Sequence, residues 1–344
     1  MVIVQSRADT GRPQPGCPGP PDWQSAVADA VTDLGELYRL LDLPEGPESQ
    51  PQKEYDDFPL LVPRPYLARI PKGDPENPLL LQVLPRPVEL AEQPGFSADP
   101  VGVCQTNRST GVLRKYPGRL LIVASRDCAV HCRFCFRRHF RRLPTAHAGG
   151  NWERVLAEIE ADRSIREVIL SGGDPLTLDD ATLSDLLIRL EAIPHIQRVR
   201  CHTRIPVMIP QRVTKELTAL LRPRRLTAIV VLHINHPAEI DQPAAAAFAR
   251  LADAGIPLLS QSVLLRGVND RVEVLAELLE RLVNLRVMPY YLHQLDRVTG
   301  AAHFEVSEQV GVELVRQLRA LLPGYAVPRC VRETIGEPSK RVLA

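Results

Sequence analysis

Three cysteines lie close together in the segment Cys128-Ala-Val-His-Cys132-Arg-Phe-Cys135. The segment begins three residues after the apolar run 120–124, so we expect it to form a loop at the end of a strand. Three thiols at this spacing can face one point. Cysteine thiolates are the ligands of a cubane [4Fe–4S] cluster, which uses four of them when it only carries electrons. With three thiolates, one iron stays open to a small molecule that donates an amine and a carboxylate.

Zinc is the alternative occupant of such a site, with His131 or His139 as its fourth ligand. Zinc sites usually combine two separated pairs of ligands, and this sequence has no second pair. The other cysteines are isolated and are interpreted as small buried or incidental residues: Cys17, Cys104, Cys201 and Cys330. The spacing therefore favours the iron–sulfur cluster. The C-x3-C-x2-C pattern resembles the signature of the radical S-adenosylmethionine (radical SAM) superfamily.

Length and composition exclude several classes of protein. The chain has 344 residues, enough for a full hydrophobic core, and its 42 basic and 41 acidic residues nearly cancel. The chain therefore has no large net charge that would attract a nucleic acid or an anionic membrane. Seven cysteines in a chain of this length do not indicate a disulfide framework, and an iron–sulfur cluster belongs in a reducing compartment. With no membrane-spanning apolar run and no signal pattern, we expect a cytoplasmic protein.

Changes in composition and periodicity along the sequence predict four segments. Residues 1–20 are rich in proline and glycine and are predicted to be a disordered tail. Residues 21–115 are predicted to form an N-terminal domain that is helical up to Leu41 and irregular where prolines crowd residues 58–118. Residues 116–322 alternate apolar runs with amphipathic stretches, and residues 323–344 form a short C-terminal segment.

The alternating region predicts an α/β fold, a partial parallel (β/α)6 barrel of the TIM-like, radical SAM type. Right-handed connections curl six consecutive strand–helix units into such a barrel. The predicted strands are 120–125, 167–171, 196–202, 227–234, 258–264 and 286–292. The predicted helices are 151–162, 179–192, 211–221, 242–254, 270–282 and 307–321. Chemistry in such folds lies at the carboxyl ends of the strands.

Polar residues follow every predicted strand, which supports a site at that rim of the barrel. After the second strand, two glycines would let the backbone approach the methionine part of S-adenosylmethionine. Asp174 follows them and could bind its ammonium group or support the loop, and we favour the first role. The residues predicted to bind S-adenosylmethionine are Gly172, Gly173, Asp174, His202, His233 and Gln261.

From roughly Phe58 to Lys340, the chain resembles the lysine 2,3-aminomutase family. The matching segments include Lys115-Tyr-Pro-Gly-Arg119, Leu170-Ser-Gly-Gly-Asp-Pro-Leu176, His233-Ile-Asn-His-Pro237 and Gln261-Ser-Val-Leu-Leu-Arg-Gly-Val-Asn-Asp270, beside the cysteine segment. Within the family, the resemblance is to the short members that make (R)-β-lysine for modification of elongation factor P.

The resemblance implies a second cofactor, pyridoxal 5′-phosphate, bound covalently to a lysine near the C-terminus. Lys340 matches that lysine, and lysine is rare in this arginine-rich chain. A lysine amine is the group that condenses with the cofactor aldehyde. Lys115 and Arg119 match phosphate-binding positions, and Tyr116 matches an aromatic residue that faces the pyridine ring.

The resemblance also implies how lysine is held. Arg137 matches the residue that binds the substrate carboxylate, and Asp296 matches one of two carboxylates that bind the distal ammonium group. Glu333 stands at the second such position, where the longer aminomutases have aspartate. The neighbouring Arg138 and Arg141 are interpreted as surface charge.

The implied reaction moves the α-amino group of L-lysine to the β-carbon through a 5′-deoxyadenosyl radical. The implied partners are an electron donor such as flavodoxin or ferredoxin and, indirectly through a separate ligase, elongation factor P. A homo-oligomeric state is left open. Two alternatives remain open. One is another radical aminomutase, such as one that acts on glutamate, although Asp296 and Glu333 would repel its side chain. The other is a non-catalytic iron–sulfur protein.

Overall fold

Nine strands form one sheet in the part of the chain that the computed structural model describes, which comprises residues 22–44, 57–103, 111–140, 146 and 152–344. The predicted tail lies outside these residues. The strands are β1 Val112–Leu113, β2 Arg119–Ser125, β3 Glu167–Gly172, β4 Arg198–Thr203, β5 Thr227–His233, β6 Leu258–Val263, β7 Met288–His293, β8 Arg329–Arg332 and β9 Arg341–Val342.

The strands follow one another across the sheet in chain order. Strands β2 to β8 are all parallel to their neighbours, whereas β1 and β9 pair antiparallel at the two edges. Among the described residues, β1 and β9 do not pair with each other, so the sheet is open. The prediction of a parallel, partial barrel is confirmed. The barrel has one more parallel strand than predicted, because β8 extends it.

Helices cover the outside of the sheet between the parallel strands. Several begin at a side chain that accepts a hydrogen bond from the first turn, as Asp179 does from Thr182 and Ser307 does from Val310. The helices in this region are α5 Glu153–Ala161, α6 Asp180–Ala192, α7 Ile205–Met208, α8 Lys215–Leu221, α9 Gln242–Asp253, α10 Val272–Asn284 and α11 Glu308–Leu321.

The N-terminal segment is less regular than its periodicity predicts. Its helices are short: α1 Asp22–Ala28, α2 Leu34–Leu40, α3 Arg64–Leu67 and α4 Pro78–Leu81. The predicted helix from Asp22 to Leu41 is interrupted, because Val31 exchanges two backbone hydrogen bonds with Val62 and Asp33 caps a new helix. Trp23 of the first helix and Leu34, Leu37 and Tyr38 of the second still belong to one buried apolar cluster.

The N-terminal segment shares its hydrophobic core with the barrel. Buried residues such as Leu37, Tyr66 and Leu80 belong to one cluster with Leu120 and Ile122 of β2. A second apolar cluster packs α10 and α11 against β7 and β8. The predicted boundary near residue 115, between the N-terminal domain and the barrel, therefore stays a proposal.

No helix within the described ranges is both long enough and apolar enough to cross a membrane.

Candidate active site

The cysteine loop leaves β2 at Ser125 and is fixed by the loop that follows β3. The amide of Gly173 donates to the carbonyl of Ser125 at 2.7 Å, and the amide of Asp174 donates to the carbonyl of Asp127 at 2.7 Å. The hydroxyl of Thr177 adds a bond to the hydroxyl of Ser125 at 2.8 Å. The two strand ends are thus joined directly before the first cysteine.

Both glycines after β3 are required by this contact. A Cβ atom on Gly172 would lie 2.3 Å from the carbonyl oxygen of Ser125, and one on Gly173 would lie 2.2 Å from that of Asp127. Gly172 also has a φ of 121°, which favours glycine. The close approach of the two loops therefore accounts for the glycine pair, and its predicted contact with S-adenosylmethionine stays a prediction.

Replacing Gly173 by alanine is expected to lower the free energy of unfolding by about 3 kcal/mol, because backbone atoms of the cysteine loop would have to move. The iron bound per chain after reconstitution should fall as well. Chemical denaturation and iron analysis measure the two effects. Gly324→Ala is the matched control, since an added Cβ there meets no atom within 4 Å. Equal stability of the two variants would contradict this account.

Asp174 supports the loop, which is the second of its two predicted roles, and its favoured contact with an ammonium group stays a prediction. Its carboxylate is buried and accepts hydrogen bonds from the amide of Leu176, the hydroxyl of Thr203 and the amides of Arg204 and Ile205. Burial raises the pKa of this carboxyl, although these donors oppose the rise. Both of its oxygens are therefore occupied by groups of the protein that join β3 to β4.

The three cysteines of the loop are partly buried and free of disulfide bonds. Burial raises the pKa of all three thiols, and the nearby thiols add to the rise at Cys128 and Cys135. A metal group is what makes such thiolates favourable. Within the described ranges, no three side chains of the metal-binding types lie close enough to share one ion. A cubane cluster does not require this, because each thiolate binds a different iron.

The carboxyl ends of β4, β5 and β6 contribute the other residues predicted to bind S-adenosylmethionine. The Nε2 atoms of His202 and His233 are buried without a partner in the described structure. Burial holds the pKa of His202 well below its usual range, and it lowers that of His233 to about 3. Both imidazoles are therefore neutral at physiological pH. Gln261 lies beside His233 in the register of β5 and β6.

Lys340, Glu333, Lys115 and Tyr116 meet in one group. The carboxylate of Glu333 contacts the ammonium group of Lys340 and accepts a hydrogen bond from the hydroxyl of Tyr116. The ammonium group of Lys115 lies 2.5 Å from the same carboxylate. Burial by itself raises the pKa of Glu333. The interactions with Lys340, Lys115 and Tyr116 are stronger than this effect and lower the pKa of Glu333 to about 2. The sequence-predicted residues for the pyridoxal group are thus in contact.

This group closes the opening of the sheet. Glu333 directly follows β8, whereas Lys115 and Tyr116 precede β2, so side chains from the two ends of the parallel array meet. The guanidinium of Arg119 lies 5.1 Å from the centre of the Tyr116 ring. A cleft of about 340 Å³ lies beside Lys115 and is bordered by residues 335–338, between Glu333 and Lys340. Cations, an aromatic ring and a lysine amine form a donor set that fits pyridoxal 5′-phosphate.

Arg137 and Asp296 lie between this group and the cysteines. The guanidinium of Arg137 donates to the hydroxyl of Ser171 at 3.1 Å and the carbonyl of Gly172 at 3.2 Å, and its Nε is buried without a partner in the described structure. Its charge interacts with Cys135, Cys128 and Asp296. Burial raises the pKa of Asp296 to about 6, although the Lys340 ammonium group lowers it.

Arg138 is not surface charge, contrary to our interpretation. Its guanidinium and that of Arg133 both lie 2.6 Å from the carboxylate of Glu89, and all three side chains are at least nine-tenths buried. The ring of Phe58 stacks on both cations, at 4.8 and 5.0 Å. The N-terminal segment therefore binds the cysteine loop through Glu89 and Phe58. Arg141 lies outside the described residues.

Two further residues of the site are at strand ends that the sequence predicted, but sequence analysis assigns them no role. His293 ends β7, and burial together with Lys340 holds its pKa well below the usual range. Arg204 follows β4 and contacts the sulfur of Cys132. Their position after a strand was the available signal, but spacing alone did not separate them from capping residues.

An open parallel barrel with three clustered thiols after its first parallel strand defines a radical SAM enzyme, and residues 122–279 match the Radical SAM superfamily. The chain is also 44% identical over 323 residues to the L-lysine 2,3-aminomutase of Haemophilus influenzae, covering 94% of this chain and 96% of that protein. It is 44% identical to the Escherichia coli protein of that name, covering 95% of each chain. It is 35% identical to the one from Clostridium subterminale, covering 93% of this chain and 77% of that protein. The chain belongs to the L-lysine 2,3-aminomutase family, whose members are isomerases.

Proposed function

We propose that this enzyme converts L-lysine to β-lysine with a [4Fe–4S] cluster, S-adenosylmethionine and pyridoxal 5′-phosphate. The observation that carries the proposal is the pair of partly buried carboxylates, Asp296 and Glu333, whose charges interact with Lys340 and with each other. Buried carboxylates near one another are costly unless cations accompany them. The distal ammonium group of lysine is such a cation.

Cys128, Cys132 and Cys135 would hold the cluster, and Gly172, Gly173, His202, His233 and Gln261 line the strand ends where S-adenosylmethionine would bind. Together these cofactors supply a carbon radical that removes hydrogen from an unactivated position. The chain's own contribution is to position the substrate and to exclude water and oxygen from it. The neutral imidazoles and the apolar cluster around Phe134, Leu265 and Phe304 suit that role.

Lys340 would hold pyridoxal 5′-phosphate covalently, which supplies an electron sink for the nitrogen that migrates. Lys115 and Arg119 would bind the phosphate, and the ring of Tyr116 would face the pyridine. Once the amine of Lys340 is bonded, it no longer offers its ammonium group to Glu333. We infer that this frees one side of the Glu333 carboxylate for the substrate.

Arg137 would bind the carboxylate of lysine. Its buried Nε has no partner in the described structure and is therefore available to donate a hydrogen bond to a carboxylate. With a carboxylate at Arg137 and an ammonium group at Asp296, the substrate would be fixed at both ends. The same two carboxylates disfavour the alternative of a glutamate aminomutase, because they would repel its side chain.

We further propose that the product is (R)-β-lysine and that a separate ligase attaches it to elongation factor P. A flavodoxin or ferredoxin would supply the electron. A cytoplasmic location and a homo-oligomeric state belong to the same proposal. The resemblance to the short members of the family supports the product and its use, and the need of an iron–sulfur cluster for a reducing compartment supports the location.

An anaerobic assay tests the proposed function. The reconstituted protein is incubated with dithionite, S-adenosylmethionine, pyridoxal phosphate and lysine, and mass spectrometry follows 5′-deoxyadenosine and β-lysine. We expect both products. Deoxyadenosine without β-lysine would exclude lysine as the substrate, and neither product from a fully loaded cluster would favour a non-catalytic protein. Chiral analysis identifies the enantiomer.

The ionisation of Asp296 predicts how kcat/KM for lysine depends on pH. Only the ionised carboxylate attracts the ammonium group, and the pKa of about 6 places its loss within reach of an assay. We expect kcat/KM for lysine to fall about tenfold for each pH unit below 6, because this parameter reports the free enzyme. Bonding of Lys340 to the cofactor removes a nearby ammonium group, so the apparent pKa of the loaded enzyme should be at or above this value. A flat profile between pH 7 and pH 5 would contradict the assignment.

A further inference from the structure

Arg204 places a buried positive charge on one of the cysteines. Its Nη1 lies 2.7 Å from the sulfur of Cys132, and the residue is only 5% exposed. The rings of Phe134 and Tyr66 lie 5.4 and 5.9 Å from the guanidinium carbon. Water is therefore kept from the contact between cation and sulfur, and a charge interaction is stronger in such surroundings than in solvent.

A carboxylate behind Arg204 fixes its position. The Nη2 of Arg204 lies 3.1 Å from Oε2 of Glu239, which is fully buried, and 2.7 Å from Oε1 of Gln82. The other oxygen of Glu239 accepts hydrogen bonds from the side chain of Gln82 at 3.0 Å and from the amides of Asn235 and His236, each at 3.1 Å. Four donors thus hold Glu239, and Arg204 is held between this carboxylate and the sulfur.

We propose that Arg204 and Glu239 set the reduction potential of the cluster through Cys132. This inference rests on the proposed assignment of the three cysteines as cluster ligands. Reduction adds one electron to the cluster, so a fixed cation on a ligand sulfur stabilises the reduced form. Glu239 partly neutralises that cation and limits the effect. The two residues therefore act in opposite directions on the same property.

Arginine suits this role better than lysine. Its planar group donates in several fixed directions, so Arg204 contacts a sulfur, an amide oxygen and a carboxylate at once. A lysine ammonium group is a compact point charge that would not span all three. We therefore expect Arg204→Lys to keep part of the effect on the potential.

An anaerobic redox titration of the reconstituted full-length protein tests the inference, with electron paramagnetic resonance reporting the reduced cluster. Arg204→Gln should make reduction about tenfold less favourable, which is a potential about 59 mV lower for one electron. Glu239→Gln should shift the potential in the opposite direction. Arg204→Lys should lie between the wild type and Arg204→Gln. A general loss of structure would not produce shifts of opposite sign.

The matched control is Arg212→Gln. Arg212 is also fully buried and paired with a carboxylate, but its guanidinium contacts Asp180, the carbonyls of Leu176 and Leu178 and the ring of Trp23. Its variant should leave the potential unchanged even if it lowers stability. If Arg204→Gln fails to retain iron, Glu239→Gln decides the question, and an unchanged or lower potential there overturns the inference. A wild-type protein that binds no cluster would instead refute the proposed function.

Discussion

Lys340→Ala is expected to abolish covalent binding of pyridoxal 5′-phosphate and to reduce the rate of β-lysine formation by at least about a thousandfold. The amine of Lys340 is the group that condenses with the aldehyde, and it lies in contact with Glu333 beside the cations proposed for the phosphate. Among the lysines that the structure describes, Lys115 is the one other that lies there, and it is held by Glu333 and by the carbonyl of Val101. The cluster should be unaffected, because its ligands lie on another loop.

Absorbance of the bound cofactor and mass spectrometry after borohydride reduction measure the loss at Lys340, and iron analysis measures the cluster. Lys215→Ala is the control, since Lys215 is an exposed lysine at the start of α8. It should bind the cofactor as the wild type does. A Lys340→Ala protein that still carried pyridoxal covalently would show that the lysine was assigned wrongly.

Asp296→Asn is expected to reduce kcat/KM for lysine by about a hundredfold, mainly through KM. Removing one member of a buried charge pair costs about 2–5 kcal/mol, and each 1.4 kcal/mol is a factor of ten. Asp296 is partly buried, and the loss of solvent around its carboxylate raises its pKa to about 6. The substitution keeps the size of the side chain and removes its charge.

Steady-state kinetics and binding of the cofactor together measure the Asp296 effect. The loss of the acidic limb of the pH profile in Asp296→Asn is a second signature, since the titrating group has gone. Asp185→Asn provides the control, because Asp185 forms an exposed pair with Arg189 on α6. An unchanged KM in Asp296→Asn would remove this residue from the substrate site and reopen the choice of substrate.

The parallel strands could be predicted because each is a short apolar run. β2 extends from Arg119 to Ser125 where residues 120–125 were predicted, and β5 from Thr227 to His233 where 227–234 were predicted. Burial of both faces makes such strands almost continuously apolar. β8 and β9 were missed, because they have four and two residues and charged side chains at their ends. Their pairing depends on contacts that a local pattern does not contain.

The candidate site was predicted as a set of positions, but the roles of its residues depend on distant partners. Asp174 precedes a strand-end loop, and only the fold brings the Thr203 hydroxyl to it. Arg138 meets Glu89, which lies 49 residues earlier in the chain. Gln82 and Glu239 are 157 residues apart. Charged and polar residues in a sequence are usually exposed, so Arg138 was interpreted as surface charge, and Gln82, Glu89 and Glu239 received no role.

Side chains from the two ends of the parallel array meet, because Lys115 and Tyr116 reach Glu333, whereas β1 and β9 do not pair with each other among the described residues. In the described part of the chain, separating these side chains would break no hydrogen bond between β2 and β3 or between β7 and β8, so the parallel strands would keep their register. The architecture thus combines a hydrogen-bonded parallel sheet, which holds the reactive groups in place, with a contact between its two ends that can change by rotation of side chains.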